Sequence, residues 1–391
     1  MKLPIYLDYH ATTPVDRRVL DVMLPYFLDC FGNPASSTHE WGWKAQEAVE
    51  EARRKIAALI GATAREIIFT SGATESNNLA IRGCAEIKDS GRNEIVTSAI
   101  EHKSVLESCR RVEQAGWKVT VLPITPDGVV DLNAARQAIT ERTLLVSVMS
   151  ANNEIGTLQP IDELSQLAHA RGALMHTDAA QAAGKVPIDV NALGIDLLSL
   201  TAHKMYGPKG CGALYVKRKL ALCPMIEGGG QERGVRAGTL NVPGIVGFGE
   251  AARICKAEMA EEAGRTMRLR TRLLAGLQAR LDGVRVNGSI EQRLPQNLHV
   301  SFANVDSEAL MVGIGDIAVS AGSACQSGKG GLSHVLLALH GPDAPHAAAV
   351  RFGLGRFTTD EEIDYAVRKF SAVVQHLRPS GRSLQPAQEP S

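Results

Sequence analysis

The sequence predicts an α/β protein: a large domain with a mostly parallel seven-stranded sheet flanked by helices, plus a smaller α+β domain. Three observations carry this. Short apolar, β-branched runs alternate with longer stretches of helical periodicity. The residues that bear chemistry fall just after those runs, where ligands collect in parallel sheets. With 391 residues, the chain also exceeds the size at which a single core keeps growing.

Seven runs read as strands of the large sheet: 67–70, 95–97, 118–122, 144–149, 174–177, 197–200 and 212–216. Helical patterns lie between them at about 75–89, 103–115 and 161–171. A long helical stretch, 244–281, follows the sheet and leads to the smaller domain. There, 284–286, 298–302 and 350–352 read as strands, and 307–312, 333–339 and 359–377 as helices. The basic run Arg265, Arg268, Arg270 and Arg272 falls in the long helical pattern and is expected to be a solvated face. Residues 379–391 are poor in core formers and are expected to be a disordered tail.

Composition excludes several classes of function. Lys+Arg and Asp+Glu are both 42, so bulk electrostatics argue against a nucleic-acid or membrane partner. No apolar segment approaches the ~18 residues of a membrane span, and the start shows no secretory signal. The seven cysteines (30, 84, 109, 211, 223, 255 and 325) contain no C-x-x-C, so no metal site of the usual kind is expected. Their odd number fits reduced thiols in a cytoplasmic protein.

Asp178 ends one strand in His176-Thr177-Asp178-Ala179-Ala180-Gln181, and Lys204 follows the next in Ser199-Leu200-Thr201-Ala202-His203-Lys204-Met205-Tyr206-Gly207. Singly, the first reads as a strand-end cap and the second as a solvated charge. Together they are the pair that holds pyridoxal phosphate. The amine ties the aldehyde, and the carboxylate keeps the ring nitrogen protonated, so the ring can accept electrons from a bound substrate. Ser71-Gly72-Ala73-Thr74-Glu75 is a strand-to-helix turn whose backbone N–H groups suit an anion, although alone it reads equally well as an N-cap. His102, Asn153, Asp178 and Lys204 all follow predicted strands. Two glycine-rich runs carry no such reading. Residues 313–318 spell G-x-G-x-x-A but follow a helical pattern, and 228–233 lack a phosphate-loop ending.

From Tyr6 to about Leu377 the chain resembles the cysteine desulfurases of NifS/IscS type, within the class V aminotransferase family of fold type I pyridoxal-phosphate enzymes. The likeness rests on Leu7-Asp8-Tyr9-His10-Ala11-Thr12-Thr13-Pro14, on 32–39, on Thr70-Ser71-Gly72-Ala73-Thr74-Glu75-Ser76-Asn77, on Asn152-Asn153-Glu154-Ile155-Gly156, on the Lys204 run, on 233–239 and on Ser323-Ala324-Cys325.

This resemblance implies conversion of L-cysteine to L-alanine, with the sulfur passed to Cys325 as a persulfide for an acceptor protein such as an iron–sulfur scaffold. Lys204, Cys325 and His102 would be catalytic, with His102 stacked on the ring. Ala73, Thr74, Thr201 and His203 would hold the phosphate, joined by Thr239 from the neighbouring subunit of a homodimer. Asn153 and Gln181 would bond the ring oxygen, and Asn153 would also lie near the substrate carboxylate. Arg351 would clamp that carboxylate with its planar fork, while nearby Arg356 reads as structural. Resident metal is not implied, although Cys325 could transiently ligate a cluster on a partner.

The implied domains are 14–262, and 1–13 with 263–378, the latter carrying a mobile loop at about 320–333. An aminotransferase or selenocysteine lyase on the same scaffold, or a non-catalytic scaffold protein, remain alternatives. His10 departs from the smaller or amide residue expected in many relatives. The tail shows no recognisable docking ending.

Overall fold

The computed structural model describes residues 3–87, 91–321, 333–342 and 347–378. Cys325, nearly all of the 320–333 loop and the 379–391 tail lie outside these residues.

The chain opens with β1 (Ile5–Tyr6), α1 (Arg17–Met23), α2 (Pro25–Leu28) and α3 (Glu40–Leu59). Strands and helices then alternate: β2 (Ile67–Thr70), α4 (Ala73–Ala85), β3 (Glu94–Ser98), α5 (Lys103–Gln114), β4 (Lys118–Leu122), α6 (Leu132–Ala138) and β5 (Thr143–Ser147). They continue through α7 (Ile161–Ala170), β6 (Leu174–Asp178), β7 (Leu197–Thr201) and β8 (Gly212–Val216). After α8 (Val242–Gln278) come β9 (Val284–Val286), β10 (Asn297–Ala303), α9 (Ser307–Gly313), β11 (Ile317–Ala318) and β12 (Ser320–Ala321). The last elements are α10 (His334–His340), β13 (Ala347–Gly353) and α11 (Asp360–Leu377).

Strands β2 to β8 form one seven-stranded sheet in the order β2-β8-β7-β6-β5-β3-β4. All neighbours from β7 to β4 are parallel, and β8 runs antiparallel to both β7 and β2. Residues 202–211, between β7 and β8, are too few for a parallel crossover, so the chain reverses there. β3, β5 and β7 are buried along their whole length, as parallel strands covered on both faces must be. One face packs Val49 and Ile56 of α3, Leu164 of α7 and Phe248 of α8. The other packs Leu79 and Ile81 of α4 with Val105 and Val112 of α5.

A separate core gathers Val300 and Phe302 of β10, Val350 and Phe352 of β13, and Ile363, Phe370 and Val374 of α11. Ile5 and Leu7 from the chain start are buried in it, and Ile5 pairs in parallel with Ile317. α8 serves both cores: Ile245, Phe248 and Ala252 face the first, and Leu269, Leu273 and Leu277, spaced by one turn, face the second. At 37 residues it is about 55 Å long, enough to reach both.

The expected solvated basic face is corrected in part. Arg268 and Arg272 are exposed, but Arg270 is buried and donates to the Leu294 carbonyl. Arg265 spends its guanidinium on the carbonyls of Gly355, Arg356 and Thr358. These two arginines fasten α8 to neighbouring loops instead of facing water.

Candidate active site

The parallel strands end at one cavity of about 610 Å³. The start of α4 brings Ala73 and Thr74 to it, and the segment after β3 brings His102. Asn153 comes after β5, Asp178 and Gln181 from the end of β6, and Thr201, His203 and Lys204 from the end of β7. Arg351 reaches in from β13. Residues far apart in sequence thus meet because successive parallel strands end on one side of the sheet.

Lys204 sits in a tight turn just past β7. Its Nζ donates to the carbonyls of His10 and, at 2.7 Å, Ala11. Burial, helped by the Arg351 guanidinium, pulls its pKa down to about 8. The chain start locks this turn from above. Thr13 Oγ1 donates to the His203 carbonyl at 3.0 Å and accepts from the Tyr206 N–H at 2.9 Å.

The Asp178 carboxylate is buried and accepts from the Ala180 N–H at 2.9 Å and from Asn77 Nδ2 at 2.6 Å. His102 is the N-cap of α5, its Nδ1 accepting from the Ser104 N–H at 3.2 Å. It is therefore both the N-cap of α5 and a wall of the cavity. Burial lowers its pKa, and burial holds His203 near 4, so both rings tend to the neutral form.

At the start of α4 the N-cap is Gly72, which makes no side-chain capping bond. The first N–H groups of a 13-residue helix are thus aimed at the cavity beside the Thr74 hydroxyl. Asn153 is presented by a turn in which Asn152 Oδ1 accepts from the N–H groups of Glu154 and Ile155, at 2.8 and 2.9 Å. Gly156 closes this turn at φ +74°, where a Cβ would stand 2.3 Å from the Asn297 side chain.

Arg351 donates through Nη1 to the Asn153 carbonyl at 2.8 Å, and through Nη2 to Asp8 Oδ1 and Ser320 Oγ, both at 2.9 Å. Its buried Nε has no hydrogen-bond partner among the described residues. Arg356 is held elsewhere: it pairs with Asp16 at 2.7 Å and Glu262 at 3.0 Å, and covers the Tyr206 ring at 4.2 Å.

Thr239 is exposed and lines a different cavity with Asn33 and Gln231. Cys325 lies outside the described residues. Sequence reasoning assigned no role to several contributors. His10 is fully buried, with Nδ1 2.9 Å from Gln181 Oε1 and Nε2 3.1 Å from Asn297 Nδ2. Its carbonyl also accepts from Gln181 Nε2 at 3.0 Å, so Gln181 is gripped at two points. Asp8, Thr12, Asn77 and Ser104 were also passed over. All but Ser104 sit within two of the motif runs quoted above, but their partners lie up to 343 residues away, a distance no local pattern encodes.

A family model for the aminotransferase class-V proteins matches residues 5–366. Cysteine desulfurase IscS of Anaeromyxobacter sp. (strain Fw109-5) is 54% identical over 380 residues, covering 97% of this chain and 94% of the relative. A solved NifS-like protein superposes with a TM-score of 0.89 at 38% identity, covering 95% of this chain and all of its own. A structure described as SspA in complex with cysteine gives a TM-score of 0.80 at 37% identity, covering 91% of this chain and all of its own. Sheet order, cavity position and these likenesses agree: the chain belongs to the class-V aminotransferase family.

Proposed function

We propose that the protein is a pyridoxal-phosphate-dependent cysteine desulfurase, taking L-cysteine to L-alanine and holding the released sulfur on Cys325. One observation carries the reading most. The half-buried amine of Lys204 and the buried carboxylate of Asp178 share a cavity with a helix start that has no side-chain cap. An amine, a carboxylate and an anion cradle are the three contacts that this cofactor's aldehyde, ring nitrogen and phosphate require.

When bound, the cofactor supplies an aldehyde that holds the substrate amine and a ring that takes up electrons from its α-carbon. Lys204 ties the aldehyde, then accepts and returns the α-proton, a task suited to an amine of pKa about 8. Asp178 keeps the ring nitrogen protonated. Ala73, Thr74, Thr201 and His203 hold the phosphate, with Thr239 of the partner subunit. His102 would cover the ring, and Gln181 and Asn153 would serve its oxygen. Arg351, which lines the cavity, receives the substrate carboxylate with its guanidinium. The Cys325 thiolate then takes the sulfur: an S–S bond forms, the substrate C–S bond breaks with its electron pair left on carbon, and a proton completes alanine.

The reading extends to assembly. The two cores that meet along α8 support a large domain of 14–262 and a small one of 1–13 with 263–378. Phe27, Leu28, Phe31, Trp41 and Trp43 stay exposed around α2 and the start of α3, an apolar patch that suits a second copy of the chain. The sulfur passes to an acceptor protein in the cytoplasm. No described helix is long and apolar enough to cross a membrane, and no described cluster could hold a metal ion.

Lys204→Ala tests the reading. Borohydride should fix the cofactor to wild type at a single peptide containing Lys204 and fix none to the variant. Fixation elsewhere would move the anchor and overturn the assignment.

A further inference from the structure

The amide of Asn77 joins two groups that the proposed chemistry treats separately. Asn77 lies on the first turns of α4, fully buried. One hydrogen of its Nδ2 goes to Asp178 Oδ2 at 2.6 Å, the other to Ser104 Oγ at 2.9 Å. Its Oδ1 has no hydrogen-bond partner among the described residues. Turning the amide over would set that oxygen against the Asp178 carboxylate, so the orientation is forced.

The second arm continues to His102. The Ser104 backbone N–H can only donate, so His102 Nδ1 is the acceptor at 3.2 Å. The Ser104 hydroxyl, 2.8 Å from the same nitrogen, must then donate to it as well. That leaves the hydroxyl oxygen to receive the Asn77 hydrogen, and the donor chain runs in one direction. In the neutral ring favoured by burial, the proton of His102 sits on Nε2.

We propose that Asn77 is a positioning residue for the cofactor. One buried amide holds the Asp178 carboxylate in place for the ring nitrogen and, through Ser104, sets His102 with its proton on Nε2. The inference rests on the cofactor reading above. It adds that the two ring-contacting residues are held from one point and do not move independently.

The test uses full-length wild type, Asn77→Leu and Ser104→Ala, stripped of cofactor and titrated with pyridoxal phosphate by visible absorbance. Leucine keeps the volume and removes both donated bonds. Loss of a bond to a charged group should weaken cofactor binding by roughly ten- to a hundredfold. Ser104→Ala leaves Asp178 served and should stay within about threefold of wild type, since only a neutral contact is lost.

Nitrogen NMR of His102 gives a second readout. Wild type should show the Nε2–H form. Ser104→Ala should raise the ionisation midpoint, because a donor to the neutral ring is gone while the surrounding Asp178, Lys204, His334 and Lys103 are unchanged. Wild-type affinity in Asn77→Leu, or an Nδ1–H form in wild type, overturns the proposal. If Asn77→Leu does not fold, Ser104→Ala decides, and an unmoved His102 midpoint rejects the relay. Failure of wild type itself to take up the cofactor would count against the proposed function instead.

Discussion

At Lys204, the physics of one side chain sets a pH dependence. An ammonium buried beside a guanidinium is disfavoured, so the free amine is available from about pH 8 upward instead of near the ordinary lysine value. The rate at which cofactor-free protein captures pyridoxal phosphate should therefore rise with pH and level off with a midpoint of about 8. Arg351→Leu removes a neighbouring positive charge and should move that midpoint up, which stopped-flow absorbance would show. An unmoved midpoint would mean that burial alone sets it. Arg351 itself should matter most for substrate. Arg351→Lys keeps the charge but loses the planar fork, so KM for cysteine should rise by roughly ten- to a hundredfold with the cofactor spectrum unchanged. An unaltered KM would place the carboxylate elsewhere.

Among the elements, α3 and β2 rest on buried ionic pairing as well as on apolar packing. Arg53 of α3 forks onto Glu232, with contacts of 2.7 and 2.8 Å, and its Nη1 also donates to the Ile67 carbonyl at 2.8 Å. Glu232 in turn accepts from the Phe69 N–H at 2.7 Å, tying α3, β2 and the segment leading to Thr239 together. Arg53→Ala strands a buried carboxylate and should cost about 3–5 kcal/mol in urea unfolding. A cost near zero would show that water reaches Glu232.

Legibility divides along the same lines. The seven sheet strands were readable because each is a short apolar run, and 118–122 and 212–216 match β4 and β8 to the residue. α3 escaped notice although Ala45, Val49, Ala52 and Ile56 form a buried stripe, because exposed Trp41 and Trp43 blur its start. The two-residue strands β1, β11 and β12 have no periodicity to read; tertiary pairing alone makes them strands. In the cavity, Lys204 and Asp178 could be named from their sequence runs, and Arg351 from the family resemblance. The roles of Asn77, Ser104 and His10 could not be read, since their part is to hold another residue and their own neighbours in sequence give no sign of it.

For the whole molecule, the exposed apolar patch and Thr239 make one prediction together. Light scattering should find a particle of twice the 41.8 kDa chain mass. Placing charge in the patch with Phe31→Asp and Trp41→Asp, whose rings lie 4.9 Å apart, should give monomers that bind cofactor more weakly, since Thr239 of the partner subunit is lost. Monomeric wild type with full cofactor affinity would contradict the shared site.

Transfer of sulfur from cysteine onto Cys325 is read out by alanine formation in Cys325→Ser. Serine leaves Lys204, Asp178 and His102 untouched, but its hydroxyl is far less ionised than a thiol at neutral pH and cannot accept sulfur. The variant should load pyridoxal phosphate normally, its absorption should still shift when cysteine is added, and alanine should be negligible. Alanine released at the wild-type rate would mean that sulfur leaves without the thiol and that Cys325 is not its acceptor.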